Sequence, residues 1–241
     1  MNLTKYKWLN DIFNNINFEN LPHGIIINGP NGIGKHILAE HICTHLILNN
    51  SKQSAVDHNK LINTNSHPDV YVLDKDKLGV NDISRRKGSK HWDEEKGFKD
   101  IISFLNLTPS MASNKVAIIH NAEIMTPEAQ NALLKSLEEP APFSYIIMTT
   151  NRPRSLNQTI YSRCQLINIK NLSPRNIDIW LSETGITEYT AMDFPSFATP
   201  FNILEDIQNN NQNSYKEFVS VLEKFLFDQT DQTQSLKEIN D

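Results

Sequence analysis

Short apolar runs alternate with segments of helical periodicity along the first 170 residues. The runs are rich in β-branched residues and are candidate strands: Ile25 to Ile27, Val70 to Leu73, Val116 to Ile119, Tyr145 to Met148 and Leu166 to Ile169. Apolar residues at i and i+4 predict helices over residues 35–49 and 98–106. A third predicted helix, over 127–138, has Thr126 as its N-cap and Pro127 at its first position. Buried strands alternating with helices indicate an α/β fold, a parallel sheet with helices on both faces.

After Ser173 and Pro174 the strand pattern stops and only helical patterns follow. Ile177, Trp180 and Leu181 mark one helix, and a second apolar stripe is formed by Phe218, Leu222, Phe225 and Leu226. Such a stripe more often packs within its own chain than against a partner. We therefore predict an α/β domain over 1–170, a small all-helical lid domain over 171–208, and a short C-terminal helix and tail over 209–241.

Three polar stretches interrupt the pattern. Residues 50–66 and 79–97 are predicted to be loops or insertions, and residues 208–214 a linker. The basic run Arg85 to Lys90 is suited to contacting DNA phosphate, but acidic neighbours favour a solvated insertion.

Composition narrows the class of protein. With 241 residues, 21% charged and 39% hydrophobic, the chain can bury a core and is not disordered. No apolar run is long enough to span a bilayer and the N-terminus lacks a secretory pattern, so we expect a cytoplasmic protein without a membrane partner. Cys43 and Cys164 lie too far apart in sequence to indicate a disulfide framework or a cysteine zinc site. The net charge of -5 argues against a protein that coats nucleic acid.

Glycine is scarce and clustered, which points to a phosphate-binding loop. Of 8 glycines, four fall within eleven residues, from Gly24 to Gly34. A loop that follows a strand, precedes a helix and ends in lysine can cradle phosphates with its backbone N–H groups; a glycine turn without a ligand is the alternative. The predicted nucleotide-binding residues are Gly29, Pro30, Asn31, Gly32, Ile33, Gly34, Lys35 and His36.

Three positions, one in this loop and two after a later strand, lack the residues that magnesium-assisted hydrolysis needs. His36 stands where a serine or threonine would bind Mg²⁺, and imidazole is a poor ligand for that cation. The strand at 116–119 is followed by His120 and Asn121 instead of acidic residues, and only Glu123 keeps an acid nearby. A catalytic His120 is the sharper interpretation, and a strand-end residue of a degenerate site is the simpler one. We expect no bound metal, and ATP or ADP binding that is weak or absent.

The most specific motifs lie further along the chain. The segment from Asn121 to Pro140, the strand that ends at Asn151, and Ser162-Arg163-Cys164 resemble the clamp-loader ATPases of the AAA+ superfamily. Within that superfamily, the resemblance is to the delta-prime branch of bacterial DNA polymerase III. Supporting matches are His67-Pro68-Asp69-Val70 and the segment 104–109. The resemblance covers residues 20–170 well and the later region loosely.

The resemblance implies roles for individual residues. Asn151 corresponds to sensor 1, and Arg163 to an arginine finger that acts on a neighbouring subunit's nucleotide; without the family, Arg163 is a solvated arginine at a strand start. Asn202 stands where the family has its sensor 2 arginine. Together with His36, His120 and Asn121, this makes four losses at hydrolytic positions.

The resemblance also implies a function. We expect a non-hydrolysing clamp-loader subunit in DNA replication, part of a DNA-directed DNA polymerase (nucleotidyltransferase) holoenzyme. Its partners are then the motor ATPase and delta-like subunits and, through the complex, the sliding clamp and primed DNA. The alternative is an active AAA+ ATPase, either the motor subunit or a stand-alone protein. The family's zinc module is not expected, since residues 50–66 lack cysteine. A full collar is not expected either: the chain is a shortened relative, or one or two helices take the collar role, with 215–227 as the candidate.

Overall fold

The computed structural model describes residues 3–49, 55–84, 100–209, 211, 215 and 217–222. Its strands are β1 (Gly24–Asn28), β2 (Val70–Leu73), β3 (Lys115–Ile119), β4 (Ser144–Thr150) and β5 (Cys164–Asn168). Its helices are α1 (Lys7–Asn14), α2 (Lys35–Leu48), α3 (Ala55–Asn63), α4 (Val80–Ile83), α5 (Ile101–Leu105), α6 (Pro127–Glu138), α7 (Gln158–Tyr161), α8 (Pro174–Glu183) and α9 (Pro200–Asn209). Single 3₁₀ turns include Phe18–Asn20, Ala122–Ile124 and Ala191–Asp193.

Residue contacts divide the chain into two units. The first comprises residues 1–30 and 34–170, and the second comprises residues 31–33 and 171–241. The predicted domain boundaries at 170 and 208 stay a prediction.

A five-stranded parallel sheet lies at the centre of the first unit. The strand order is β2-β3-β4-β1-β5. Gly24 lies opposite Ile146 of β4 and opposite Cys164 of β5, so these strands begin at the same level. Because every strand runs the same way, all carboxyl ends meet at one edge of the sheet, the carboxyl edge, and all amino ends at the other, the amino edge.

Both faces of the sheet are covered. Alternate strand residues point to opposite faces; Ile26, Ala117 and Ile146 share an apolar cluster with Phe104 of α5 and Leu133 of α6. On the other face, α2 packs against β1, β3 and β4. The predicted fold class, an α/β phosphate-loop sheet followed by helices, is confirmed.

A buried carboxylate ties the start of β2 to the segment before β3. Asp69 is fully buried and accepts backbone N–H groups from Ser110 (2.7 Å), Met111 (2.7 Å) and Ala112 (2.9 Å). Its fourth partner is the buried ammonium of Lys115, 3.1 Å away. Burial alone would raise the pKa of Asp69, but the three N–H groups and Lys115 outweigh it and hold the pKa below its ordinary value.

In the second unit, α8 contains the three apolar positions that predicted a helix after Pro174. Ser173 is the N-cap, its hydroxyl accepting the N–H of Asn176, and Pro174 is the first helical residue. Ile177, Trp180 and Leu181 are buried on one side of the helix. Asp178 accepts the N–H of Ala191 at 2.6 Å, which fixes the turn at Ala191–Asp193 to α8.

The structure corrects three predictions about the polar stretches. Residues 50–66 were expected to be a loop, but α3 occupies 55–63, because the buried His58 and the half-buried Leu61 and Ile62 give it an inner side. Residues 80–83 form the one-turn α4, since Ile83 is buried. A linker was expected from Gln208, but α9 continues to Asn209, and residues 210 and 212–214 lie outside the described residues. The basic run 85–90 and the apolar positions Phe225 and Leu226 lie outside the described residues.

Candidate functional site

The predicted phosphate loop follows β1 at the carboxyl edge of the sheet. Gly32 has φ 70° and Gly34 has φ 99°, left-handed conformations that glycine adopts without strain. Helix α2 begins immediately afterwards at Lys35, with Gly34 as its N-cap. The exposed His36 lies in its first turn. The sequence-predicted geometry of a strand, a glycine loop and a helix N-terminus is therefore present.

The side chain of Lys35 folds back onto the first residues of this loop. Its ammonium donates to the carbonyl oxygens of Gly29 and Pro30, each at 2.9 Å, and the side chain is buried. Burial lowers the pKa of Lys35, and the carboxylate of Glu123 opposes that shift. A phosphate can receive this ammonium only if the two carbonyl contacts are given up or shared.

The end of β3 presents imidazole and amide groups in place of carboxylates. His120 Nδ1 lies 3.4 Å from the hydroxyl of Thr149 on β4, and the same hydroxyl accepts the Asn121 N–H at 3.2 Å. Burial lowers the pKa of His120, His36 lowers it further, and Asp74 opposes both. A neutral His120 can neither bind Mg²⁺ as a carboxylate does nor orient water with a negative charge.

Two acidic residues lie near these groups. Glu123, noted in the sequence, acts on Lys35, and its Oε2 is buried without a hydrogen-bond partner among the described residues. Asp74 was missed: Leu73 pairs with Ile119, so the residue after β2 lies beside His120. An acidic residue directly after an apolar run was the signal that could have found it. Among the described residues, no three His, Cys, Asp or Glu side chains are grouped so as to hold a metal ion.

Asn151, the predicted sensor 1 residue, follows the last residue of β4 at the same edge. The carbonyl oxygen of Thr150 accepts the N–H of Gly29 at 3.2 Å. This backbone bond puts Asn151 next to the residue that opens the phosphate loop; its sensor 1 role stays a prediction.

Within the second unit, the loop tip is bonded to the start of α9. The Thr199 hydroxyl donates to the Asn31 carbonyl at 2.7 Å, and the Phe201 N–H donates to the Gly32 carbonyl at 3.0 Å. A Cβ on Gly32 would lie 1.9 Å from Asn202 Oδ1, so no side chain fits there. Asn202 thus packs on Gly32, and the predicted sensor 2 position carries a neutral amide instead of an arginine.

Arg163 lies at the amino edge of the sheet, directly before β5. Because Gly24 pairs with Cys164 and Asn28 with Asn168, the whole length of β1 separates Arg163 from its own phosphate loop. Five residues of strand span about 16 Å, which is longer than an arginine side chain. Arg163 therefore cannot act on a nucleotide held by its own loop.

Comparison with known proteins supports the family that the motifs predict. A family model described as DNA polymerase III, delta subunit, matches residues 4–173. The chain belongs to this family. It is 30% identical over 232 residues to DNA polymerase III subunit delta' of Haemophilus influenzae, covering 89% of this chain and 65% of the relative. It is 30% identical over 150 residues to subunit delta' of Pseudomonas aeruginosa, covering 59% and 41%.

A gamma/tau relative matches as well. The DNA polymerase III subunit gamma/tau of Mycoplasma genitalium is 31% identical over 167 residues, which is 67% of this chain and 26% of the relative. The chain thus spans less than two thirds of the length of these relatives. The family predicted from the motifs is confirmed. Separately, none of the helices in the described part of the chain is long and apolar enough to cross a membrane.

Proposed function

We propose that this chain is a clamp-loader subunit of DNA polymerase III that does not hydrolyse ATP and supplies Arg163 to the nucleotide site of a neighbouring ATPase subunit. The family and the delta' and gamma/tau relatives support a clamp-loader component. The observation that supports the role of Arg163 on a neighbouring subunit is its position, at the sheet edge opposite its own loop. A guanidinium in that position can stabilise phosphate charge only on another chain.

The side chains at four positions support the absence of hydrolysis. Phosphoryl transfer is catalysed by positioning and by charges that offset the developing negative charge. His36, His120, Asn121 and Asn202 replace the groups that would bind Mg²⁺, orient water and supply a second cation. With those groups lost, the loop retains a phosphate cradle without the means to cleave ATP.

Nucleotide binding is proposed to be weak or absent, and zinc has no role. Lys35 must leave the carbonyls of Gly29 and Pro30 to meet a phosphate, which costs part of the binding free energy. The proposed partners are the motor ATPase and delta-like subunits, and through them the sliding clamp and primed DNA in the cytoplasm.

Steady-state ATP hydrolysis by the isolated chain tests this proposal. We expect no turnover above the background given by the Lys35→Ala variant. The retained loop and Glu123 beside Lys35 favour the second candidate, an active AAA+ ATPase. Turnover at an ordinary AAA+ rate that Lys35→Ala abolishes would establish that candidate and refute the non-hydrolysing role.

A further inference from the structure

Glu138 is the last residue of α6 and carries its charge where a helix disfavours it. Helix C-termini have a partial negative charge and favour cations. The chain nevertheless has Glu138 and Glu139 in succession there. An acidic pair at this position needs a reason other than helix stability.

The two acids differ in their contacts. Glu138 Oε1 lies 2.6 Å from Arg163 Nη2, an ion pair in which both side chains are partly exposed. Arg163 Nη1 also donates to the carbonyl oxygen of Thr159 at 2.9 Å and to the hydroxyl of Ser162 at 3.3 Å. The side chain of Glu139 is exposed and makes no ion pair among the described residues.

The neighbouring residues hold the two partners in place. A Cβ on Gly24 would lie 2.5 Å from Cys164 Sγ and 2.8 Å from Leu137 Cδ2, so β1 approaches both side chains as closely as glycine allows. Leu137 precedes Glu138, and Cys164 follows Arg163. The packing of these two residues on Gly24 brings the backbone of Glu138 close to that of Arg163, within reach of an ion pair.

We propose that Glu138 is a positioning residue for Arg163. Together with Thr159 and Ser162, it holds one side of the guanidinium and leaves the remaining N–H groups to meet a phosphate of the neighbouring subunit. Exposed ion pairs add little to folding stability, whereas orienting a catalytic group before it acts lowers the barrier. This inference rests on the proposed function of Arg163.

The test is a double-mutant cycle in the reconstituted clamp loader, read as kcat and KM of the ATPase stimulated by DNA and clamp. We expect Arg163→Ala to lower kcat most and Glu138→Ala to lower it by about twofold or more, with KM for ATP unchanged. The double variant should have the kcat of Arg163→Ala alone, because Glu138 acts only through Arg163. Glu138→Gln, which keeps an acceptor oxygen, should recover part of the loss.

Glu139→Ala is the matched control, since it removes the same charge from the same helix end without touching Arg163. It should leave kcat unchanged. An effect of Glu139→Ala equal to that of Glu138→Ala, a fall that persists in the Arg163→Ala background, or a rise in kcat with Glu138→Ala would each overturn the inference. If Arg163→Ala itself has no effect, the proposed function fails, which is a separate result.

Discussion

On folding, the carboxylate of Asp69 loses its contacts with water and gains four protein partners. The balance between these two free-energy changes determines what Asp69 contributes to stability. A buried carboxylate costs several kcal/mol of desolvation, which only several hydrogen bonds and a counter-ion can offset. The three backbone N–H groups of residues 110–112 and the ammonium of Lys115 supply them. The sequence marks Asp69 through its motif, but its partners lie 41 to 46 positions later, beyond the reach of any local pattern.

Replacing Asp69 should therefore destabilise the folded protein. Asp69→Asn leaves the Lys115 ammonium buried without its counter-ion, and we expect the free energy of unfolding to fall by about 3–5 kcal/mol. Urea denaturation followed by circular dichroism measures the change. Asp76→Asn, the same change at an exposed position, should change it little; equal losses for the two variants would refute the assigned role.

Acid should weaken the same contact. The pKa of Asp69 is lower in the folded chain than in the unfolded one, so its stabilisation is complete above the ordinary value of about 3.9 and is lost as the pH falls through the folded value. Unfolding free energies measured against pH should show this dependence in the native chain. The dependence should be smaller in Asp69→Asn, and an identical profile would contradict the argument.

Close packing, and not phosphate binding, explains the glycine at position 24. It belongs to the glycine cluster that indicates a phosphate loop, yet it lies at the amino edge, far from that loop. Its lack of a side chain serves the close packing of Cys164 and Leu137. Burial also raises the pKa of the Cys164 thiol to about 12, so this sulfur acts as a packing group and not as a nucleophile.

Gly24→Ala should lower the free energy of unfolding by about 1–3 kcal/mol, because the added methyl group overlaps both side chains. Cys164→Ala removes the nearer overlap, so the double variant should be more stable than Gly24→Ala alone. Thermal unfolding of the single and double variants measures this coupling. Strictly additive losses would contradict the packing assigned to this junction.

Among the helices and strands, the sequence predicts correctly those helix ends that a capping residue or a proline determines. Helix α6 has its predicted bounds because Thr126 caps the N–H of Ala129 at 3.2 Å and Pro140 follows its end. Helix α3 was missed because its burial depends on a contact made nine residues later: His58 Nδ1 lies 2.8 Å from His67 Nε2. Polar composition conceals such a helix, since imidazoles that pair with each other can be buried without apolar character.

The docking of α3 should depend on pH. His67 Nδ1 accepts the N–H of Asp69 at 3.0 Å, so a neutral His67 carries its proton on Nε2 and donates it to His58. Burial lowers the pKa of His67, with further lowering from His58 and Lys115 and an opposing effect of Asp69. The stabilisation is therefore present above the ordinary histidine pKa of about 6.5 and is lost as the pH falls below it.

Amide protection of residues 57–63, corrected for intrinsic exchange, should fall between about pH 7.5 and about pH 5.5. Protection of β3 should change less, since its strand bonds do not involve the imidazole pair. His67→Asn keeps an acceptor for the Asp69 N–H but does not titrate, so the pH dependence of α3 should disappear. Undiminished pH dependence in this variant would exclude the imidazole pair as its source.

At the largest scale, the predicted functional residues fall into two groups that lie at opposite edges of one sheet. The carboxyl edge holds the loop start, Lys35 and His120, and the amino edge holds Arg163. Motifs predicted the members of each group, but the sequence could not show that Asp74 lies beside His120 or that Glu138 meets Arg163. Strand register and the packing on Gly24 create those neighbours, and both depend on long-range pairing.

The most direct test of the account is the ATPase of a clamp loader reconstituted with Arg163→Ala in this subunit, measured with primed DNA and sliding clamp. We predict that the stimulated rate falls below that of the native complex while the complex still assembles, because a neighbouring site loses its cation. A variant complex that assembles and hydrolyses ATP at the native rate would contradict the claim that Arg163 acts on a neighbouring subunit.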